Sequence, residues 1–195
     1  MLGRTALWLG ICAVFVSELT LSQNTAPASV QPALSLDAAY QAAVTALASC
    51  KAKGFPNATV AVADAEGGLL VLLRSPNAPA PTVESARRKA YTAAKTGMST
   101  AEFAKSKGWT DPNPPPSANT RAGTGMPPPN ANQVNPFSNL PVFDNDPMLV
   151  PWGGGSTIKV NDKVVGGIGL SGAAGGQKDE DCVTDGLAKI KAEQK

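Results

Sequence analysis

Apolar side chains recur every three or four positions at residues 36–47 and 83–94, the spacing that places them on one face of a helix, and end signals mark two further helices. The first stretch follows Ser35, a residue type that caps helix N-termini, and it stops at Gly54, which is typical of a helix end. Thr82 and Ser99 stand in the capping position before two later stretches, and Glu102 completes a capping box with Ser99. The predicted helices cover residues 36–53, 82–97, 99–107 and 177–190.

Short apolar runs bounded by turn residues predict two hairpins. Residues 59–64 and 69–74 flank the turn at residues 66–68, and residues 157–160 and 163–170 flank Asn161-Asp162. Hairpins make antiparallel neighbours. The order helix, hairpin, helix, helix, hairpin, helix therefore predicts an α/β protein of the α+β type, with an antiparallel sheet packed against helices, and argues against a doubly wound parallel sheet.

The N-terminal residues show neither the helix pattern nor the hairpin pattern described above. Their features instead predict that the protein is exported. Arg4 precedes eleven apolar residues at positions 6–16, and Thr20 and Ser22 suit a signal peptidase, so residues 1–22 are interpreted as a signal peptide. Eleven helical residues span about 16 Å against about 30 Å of hydrocarbon, which predicts no stable membrane anchor. The polar residues 23–33 are interpreted as a flexible leader. The expected location is secreted or periplasmic.

The remaining residues, 34–195, are expected to form one domain interrupted by a proline-rich insertion at residues 108–151. This insertion carries two runs of three prolines and no periodic pattern. A loop of such length is a functional cover or is disordered. Because residues 137–152 are rich in large apolar side chains, we expect that part to lie against the domain as an ordered cover.

Composition excludes several classes of function. The chain has 17 Lys and Arg against 15 Asp and Glu, a net charge of +2, and only Arg87-Arg88-Lys89 forms a basic cluster, so no nucleic-acid partner is expected. It contains no histidine, which excludes Ser-His-Asp and Cys-His triads, histidine-based zinc sites and covalent CxxCH haem attachment. Beyond the predicted signal peptide, two cysteines remain, Cys50 and Cys182. They could form a disulfide in an oxidising compartment or remain two buried thiols.

The glycine-rich run from Gly166 to Gly176 contains a GxGxxG match at residues 167–172. The context is wrong for a dinucleotide site, because these glycines lie in the last strand of a hairpin and no further strand follows. Glycine in a strand instead allows close backbone approach, either to a packed helix or to a ligand. Asp179-Glu180-Asp181 could hold a hard cation, but acidic residues in a helix's first turn are more often structural. Glu84 and Glu102 stand alone in the sequence.

Several blocks together resemble one family. They are the stretches 61–68, 83–93, 99–103, 153–155, 163–172 and 179–182. In this order they are similar to the GlcG/HbpS-like haem-binding family, over residues 34–107 and 152–190. The chain departs from the family at two points: it has Glu84-Ser-Ala-Arg87 where some members carry Glu-x-x-Glu linked with iron binding, and it lacks the histidine that others use for haem.

The resemblance implies a profilin-like fold, an exported or cytoplasmic protein that forms homo-oligomers, and haem as the cofactor, with binding or degradation of haem in several members. It implies that Thr100 is the ligand of the haem iron. Arg74, Arg87 and Lys89 are candidate partners of the haem propionates, since guanidinium groups suit carboxylates. The close-approach glycines Gly167 and Gly169 complete the candidate cofactor site, and no catalytic residue is assigned.

Three functions compete at this point. The first is an exported haem-binding protein that assists haem uptake, sensing or degradation. The second is a small-molecule-binding accessory protein or an enzyme of a catabolic pathway that uses the same pocket, although no nucleophile or base constellation supports one. The third is a ligand-free structural oligomer, in which the glycine strand packs subunits together.

Overall fold

A computed structural model describes residues 33–108 and 144–193. The elements are α1 (Leu36–Ala52), β1 (Thr59–Asp64), β2 (Leu69–Arg74), α2 (Pro81–Thr96), α3 (Thr100–Ser106), β3 (Gly155–Val160), β4 (Lys163–Ser171) and α4 (Gly176–Glu193). The predicted helices and hairpins are all present, with ends that differ by a few residues at most. The proposed signal peptide, the leader up to residue 32, and most of the insertion, residues 109–143, lie outside the described residues and stay predictions.

Local chemistry explains most of the element ends. Ser35 caps α1 by accepting a hydrogen bond from the Ala38 N–H, and Ser99 and Glu102 form the predicted capping box of α3. The prediction that Thr82 caps α2 is wrong. The helix begins at Pro81, which lacks an N–H and suits the first helical position, so the N-cap is Ala80 and Thr82 lies inside the first turn.

The four strands form one antiparallel sheet in the order β2-β1-β4-β3. Each predicted hairpin forms half of the sheet, and the two halves join where β1 pairs with β4, for example Val62 opposite Ile168. Asn161 and Asp162 both adopt positive φ, as a tight two-residue hairpin turn requires. The predicted antiparallel α+β architecture is confirmed.

Helices cover both faces of this sheet. On one face, α1 lies over β1 and β2 while α4 lies over β3 and β4, and the main core forms between them around Val60, Val62, Ile168 and Leu170. On the other face, α2 packs against β4 and β1 through small residues. Among the described helices, none is long and apolar enough to cross a membrane.

A disulfide joins the two helices of the main core. Cys50 in α1 and Cys182 in α4 are bonded, with an S–S distance of 2.12 Å across 132 positions of sequence, and both residues are fully buried. The alternative of two buried thiols, left open by the sequence, is therefore excluded. Ser49 and Lys53 of α1 also bind the Asp185 carboxylate of α4, at 2.5 and 3.0 Å.

The disulfide should contribute strongly to stability. Because it closes a long loop, replacing both cysteines in Cys50→Ser/Cys182→Ser should lower the free energy of unfolding by about 2–5 kcal/mol. Urea denaturation followed by circular dichroism measures this loss. Wild-type protein treated with dithiothreitol serves as the control and should unfold at the variant's midpoint. Equal midpoints for oxidised and reduced protein would contradict the prediction.

Candidate functional site

The glycines of β4 allow the backbone of α2 to lie directly on the strand. A Cβ atom at Gly167 would lie 2.2 Å from the Ala90 carbonyl oxygen, and one at Gly169 would lie 2.4 Å from that of Ala86. These are far below ordinary contact distances, so only glycine fits at either position. Of the two partners that the sequence left open for these glycines, a packed helix or a ligand, the described residues place a helix there.

Lys89 of α2 forms a buried ion pair next to this contact. Its ammonium group lies 2.7 Å from the Asp179 carboxylate of α4 and donates a hydrogen bond to the Leu170 carbonyl at 2.9 Å. Both side chains are only 5% exposed. The second Asp179 oxygen accepts a hydrogen bond from the Ala173 N–H at 2.9 Å. Burial raises the pKa of Asp179, against the opposing effects of Lys89 and the backbone N–H groups.

Thr100, at the start of α3, lies close to the backbone of Lys89, because a Cβ atom at Gly155 would be 2.6 Å from both the Lys89 carbonyl oxygen and Thr100 Cγ2. It is fully buried, its hydroxyl oxygen accepts a hydrogen bond from the Gly155 N–H at 2.9 Å, and the same oxygen lies 3.4 Å from the Gly155 carbonyl oxygen. A Cβ atom at Gly154 would lie 2.5 Å from Asp179 Cβ, and one at Gly155 would lie 2.6 Å from Thr100 Cγ2. We call Lys89, Thr100, Gly154, Gly155 and Asp179 the Lys89 cluster.

A second polar group holds the end of the insertion onto the outer side of α2. Glu84 binds Arg87 through two hydrogen bonds of 2.9 Å and Arg88 through one of 2.7 Å. Arg88 also donates to the Pro147 carbonyl at 2.7 Å, and Tyr91 donates to the Asp146 carboxylate at 2.7 Å. The expectation that Glu84 stands alone is therefore wrong, because its partners follow one turn later on the same helix.

Arg87 and Arg88 determine the ionisation of the Glu84 carboxyl. Burial acts to raise the pKa of its carboxyl, but the two guanidinium groups outweigh burial and hold the pKa below its ordinary value. Glu84 therefore stays ionised at neutral pH and keeps both arginines aimed at residues 146–148. Beyond this point Leu149 and Val150 are buried, so the described end of the insertion, residues 144–151, lies against the domain. The rest of the expected cover, residues 137–143, lies outside the described residues.

The structure brings only some of the predicted site residues together. Lys89 and Thr100 meet in the Lys89 cluster, with Gly169 beneath Lys89, while Gly167 lies further along β4 under Ala90. Arg87 faces outward, 39% exposed, with Met148 Sδ at 3.5 Å. Arg74 lies on the edge strand β2 and donates to the Ala78 carbonyl. Sequence reasoning misses Asp179 as the partner of Lys89, because an acidic first turn is sufficiently explained by the helix dipole.

No described group of three His, Cys, Asp or Glu side chains is arranged to hold a metal ion. Asp179, the buried member of the acidic turn, already binds Lys89 and Ala173 with its two oxygens. Every fully buried side-chain nitrogen or oxygen among the described residues has a hydrogen-bond partner. The described interior is therefore satisfied without a bound ion.

The residues that form these features are all matched by the model of one known protein family. The family model described as "Haem degrading protein HbpS-like" matches residues 34–188. The chain belongs to the HbpS-like family. The matched residues include the Lys89 cluster, the hydrogen bonds of Glu84 with Arg87 and Arg88, and the disulfide. The match confirms the family resemblance noted from the sequence. No curated protein matches the chain by sequence.

Solved structures agree with membership of the HbpS-like family. The crystal structure of HbpS is 28% identical, with a TM-score of 0.63, and the match covers 83% of this chain and 93% of that one. A glutamate-to-aspartate double mutant of HbpS from Streptomyces reticuli is 26% identical, with a TM-score of 0.62 and coverage of 92% and 97%. A PduOC:heme complex is 22% identical, with a TM-score of 0.58 and coverage of 81% and 95%, a likeness of fold alone.

The glycines of this HbpS-like chain should be irreplaceable because of α2. Gly167→Ala and Gly169→Ala each force a methyl group against two backbone atoms of α2, so each should lower the free energy of unfolding by about 3 kcal/mol or more. Urea denaturation measures the effect. The control is Gly54→Asn, at an open, positive-φ position that asparagine tolerates, and it should cost less than about 1 kcal/mol. Equal costs for all three variants would contradict the close contact.

The buried ion pair should behave as a coupled unit. Lys89→Met leaves a buried carboxylate without its cation, and Asp179→Asn leaves a buried ammonium group, so each should lower the free energy of unfolding by about 3–5 kcal/mol. The double variant Lys89→Met/Asp179→Asn buries no charge and should lose less than the sum of the single variants. Lys53→Met removes an exposed pair with Asp185 and should lose at most about 1 kcal/mol. Additive losses at Lys89 and Asp179 would contradict the coupling.

Proposed function

We propose that this protein is an exported haem-binding protein. The observation that carries the proposal is the match to the haem-degrading HbpS-like family over residues 34–188, a range that spans the sheet, its helices and the described end of the insertion. The name of the PduOC:heme complex, whose fold is similar, supports the same ligand. Uptake, sensing or degradation of haem would each require such binding.

Export is supported by two features that are independent of the family. The N-terminal segment has the charge and apolar run of a signal peptide. The domain carries a buried disulfide between Cys50 and Cys182, and such bonds persist in secreted and periplasmic proteins. Together they favour a protein that meets its ligand outside the reducing cytoplasm.

The sequence holds no imidazole for the iron, so the ligand that the family resemblance offers is an oxygen. With no histidine in the sequence, Thr100 would supply an oxygen ligand to the iron, after exchanging its hydrogen bond with Gly155. A neutral hydroxyl is a weak ligand, so burial of the porphyrin and pairing of its propionates would supply much of the affinity. When bound, haem supplies an iron centre for oxygen or electron-transfer chemistry.

The cations of the chain are not equally suited to the propionates. Lys89 already neutralises Asp179 in the interior, so using it for a propionate would leave a buried carboxylate unpaired. Arg87 is more accessible, and its guanidinium group lies beside the described end of the insertion. It also binds Glu84, but Glu84 would keep Arg88 as its cation if Arg87 turned to a propionate. We therefore assign the main propionate contact to Arg87 and a positioning role to Lys89, whose bond to Asp179 holds α2 and α4 together at Gly154, next to the residue that Thr100 binds.

Haemin titration of residues 23–195, followed by absorption spectroscopy, tests the proposal. We expect a shifted Soret band that saturates at micromolar haemin. Thr100→Ser keeps the hydroxyl and should keep the spectrum, whereas Thr100→Val should change the spectrum and weaken binding. Arg87→Gln should weaken binding by about tenfold or more, the scale of a lost charge-assisted contact.

Two controls make the result specific. Lys95→Gln removes another partly exposed cation of α2 and should bind haemin like the wild type. Circular dichroism of each variant separates loss of the site from loss of the fold. Absence of a Soret shift in folded wild-type protein would overturn the proposal and favour the ligand-free structural oligomer or a different small molecule.

A further inference from the structure

The described end of the insertion is tied to α2 by a series of hydrogen bonds. We call residues 144–150 the strap. In each contact α2 supplies a side chain: Tyr91 to Asp146 at 2.7 Å, Arg88 to Pro147 at 2.7 Å, Arg87 to Met148 at 3.5 Å and Thr92 to Val150 at 3.0 Å. The strap therefore lies along the helix and uses its polar side chains.

Little apolar burial holds the first part of the strap. Asp144, Asn145 and Pro147 are exposed, whereas Leu149 and Val150, at its far end, are buried. Residues 144–148 are therefore held to α2 mainly by polar contacts. Segments held in this way open locally at a small cost in free energy.

The backbone at the start of the strap is in a sparsely populated conformation. Asp144 and Asn145 have φ angles of 50° and 61°, a region that non-glycine residues occupy only where surrounding contacts hold them. The holding contacts are the ion pair between Lys107 and Asp144 and the hydrogen bonds of Asp146. Loss of the Asp146 contacts would let this backbone relax, so release of the strap is favoured locally.

Asp146 ties the strap to the helix through its carboxylate. One oxygen accepts the Tyr91 O–H, and the other accepts the Met148 N–H at 2.8 Å. The hydrogen bond to Asp146 raises the pKa of Tyr91, so the phenol stays protonated and donates at neutral pH. Arg87 and Tyr91 are four residues apart in α2 and so lie on the same side of the helix. A guanidinium group and a phenol therefore both donate to the strap from that side.

A ligand carboxylate presents the acceptors that the strap supplies here. For Tyr91 it would replace one carboxylate by another. For Arg87 it would replace the Met148 thioether, a weak acceptor at 3.5 Å, by a charged oxygen that binds guanidinium groups strongly. A carboxylate can therefore compete with the strap for both side chains.

We propose that Arg87 and Tyr91 form a carboxylate-binding site that the strap occupies in this structure, and that a carboxylate of the ligand displaces Asp146 and Met148 from it. The identity of the ligand, through a haem propionate, rests on the proposed function. The proposal adds Tyr91 to that site and makes the strap a competitor that lowers the apparent affinity. Arg88 keeps its hydrogen bond to Glu84 when the strap leaves.

Two variants, one on each side of the same hydrogen bond, test the proposal by haemin titration of residues 23–195. Asp146→Ala releases the strap and leaves Arg87 and Tyr91 in place, so it should bind haemin about three- to tenfold more tightly than the wild type. Tyr91→Phe breaks the same hydrogen bond but also removes a ligand contact, so it should bind haemin less tightly than Asp146→Ala. Equal affinities of the two variants would overturn the place of Tyr91 in the site.

Matched controls and hydrogen exchange make the test specific. Asp37→Ala removes an exposed carboxylate of α1, and Tyr40→Phe removes an exposed phenol hydroxyl, so both should bind haemin like the wild type. Haemin should speed amide exchange of residues 146–149 in the wild type, because the strap leaves α2. Slower exchange of these amides would mean that the strap closes over the ligand, and it would overturn displacement.

Protoporphyrin IX, which has the same two carboxylates and no iron, separates this proposal from the haem assignment. Because carboxylate capture needs no iron, its fluorescence titration should give the same order of affinities. Haemin binding that Asp146→Ala leaves unchanged overturns the strap proposal alone. The expected order for protoporphyrin IX, without a haemin Soret shift, overturns the haem assignment alone. Failure of every variant to bind either porphyrin overturns both.

Discussion

The contact between the backbones of α2 and β4 is the constraint on which the rest of the structure depends. Gly167 and Gly169 remove the side chains that would otherwise separate helix from strand, so the two lie in direct contact. The small residues Ala86 and Ala90 complete the contact from the helix. Because α2 lies so close to β4, the Lys89 ammonium group can bind both the Leu170 carbonyl at the end of β4 and the Asp179 carboxylate.

The buried ion pair between Lys89 and Asp179 fixes the position of α4 relative to α2 and β4. Burying two charges costs free energy that their attraction only partly recovers, so such pairs contribute more to geometry than to net stability. Lys89 and Asp179 are acceptable in the interior because each also binds backbone groups of β4 or the turn that follows it. The pair thereby sets the start of α4 against α2, with Gly154 close beside it and Thr100 bound to the neighbouring Gly155.

The two faces of the sheet are held by different means. Between α1 and α4 the core is a conventional apolar layer, reinforced by the Cys50–Cys182 disulfide. On the α2 face the apolar content is small, and polar contacts from Glu84, Arg88 and Tyr91 attach the described end of the insertion to the helix. The α2 face is therefore held largely by polar contacts, and Arg87, the proposed propionate partner, extends from that helix.

The sequence by itself determined the elements, their order and the antiparallel sheet, because caps, turns and apolar periodicity act over a few residues. The blocks of family resemblance were visible for the same reason, since each is a short contiguous run. Only the tertiary structure decided that Cys50 bonds Cys182, that Lys89 meets Asp179, and that the β4 glycines lie under α2. Those partners lie far apart in the chain, and their meeting depends on how the two hairpins join and which helix covers each face.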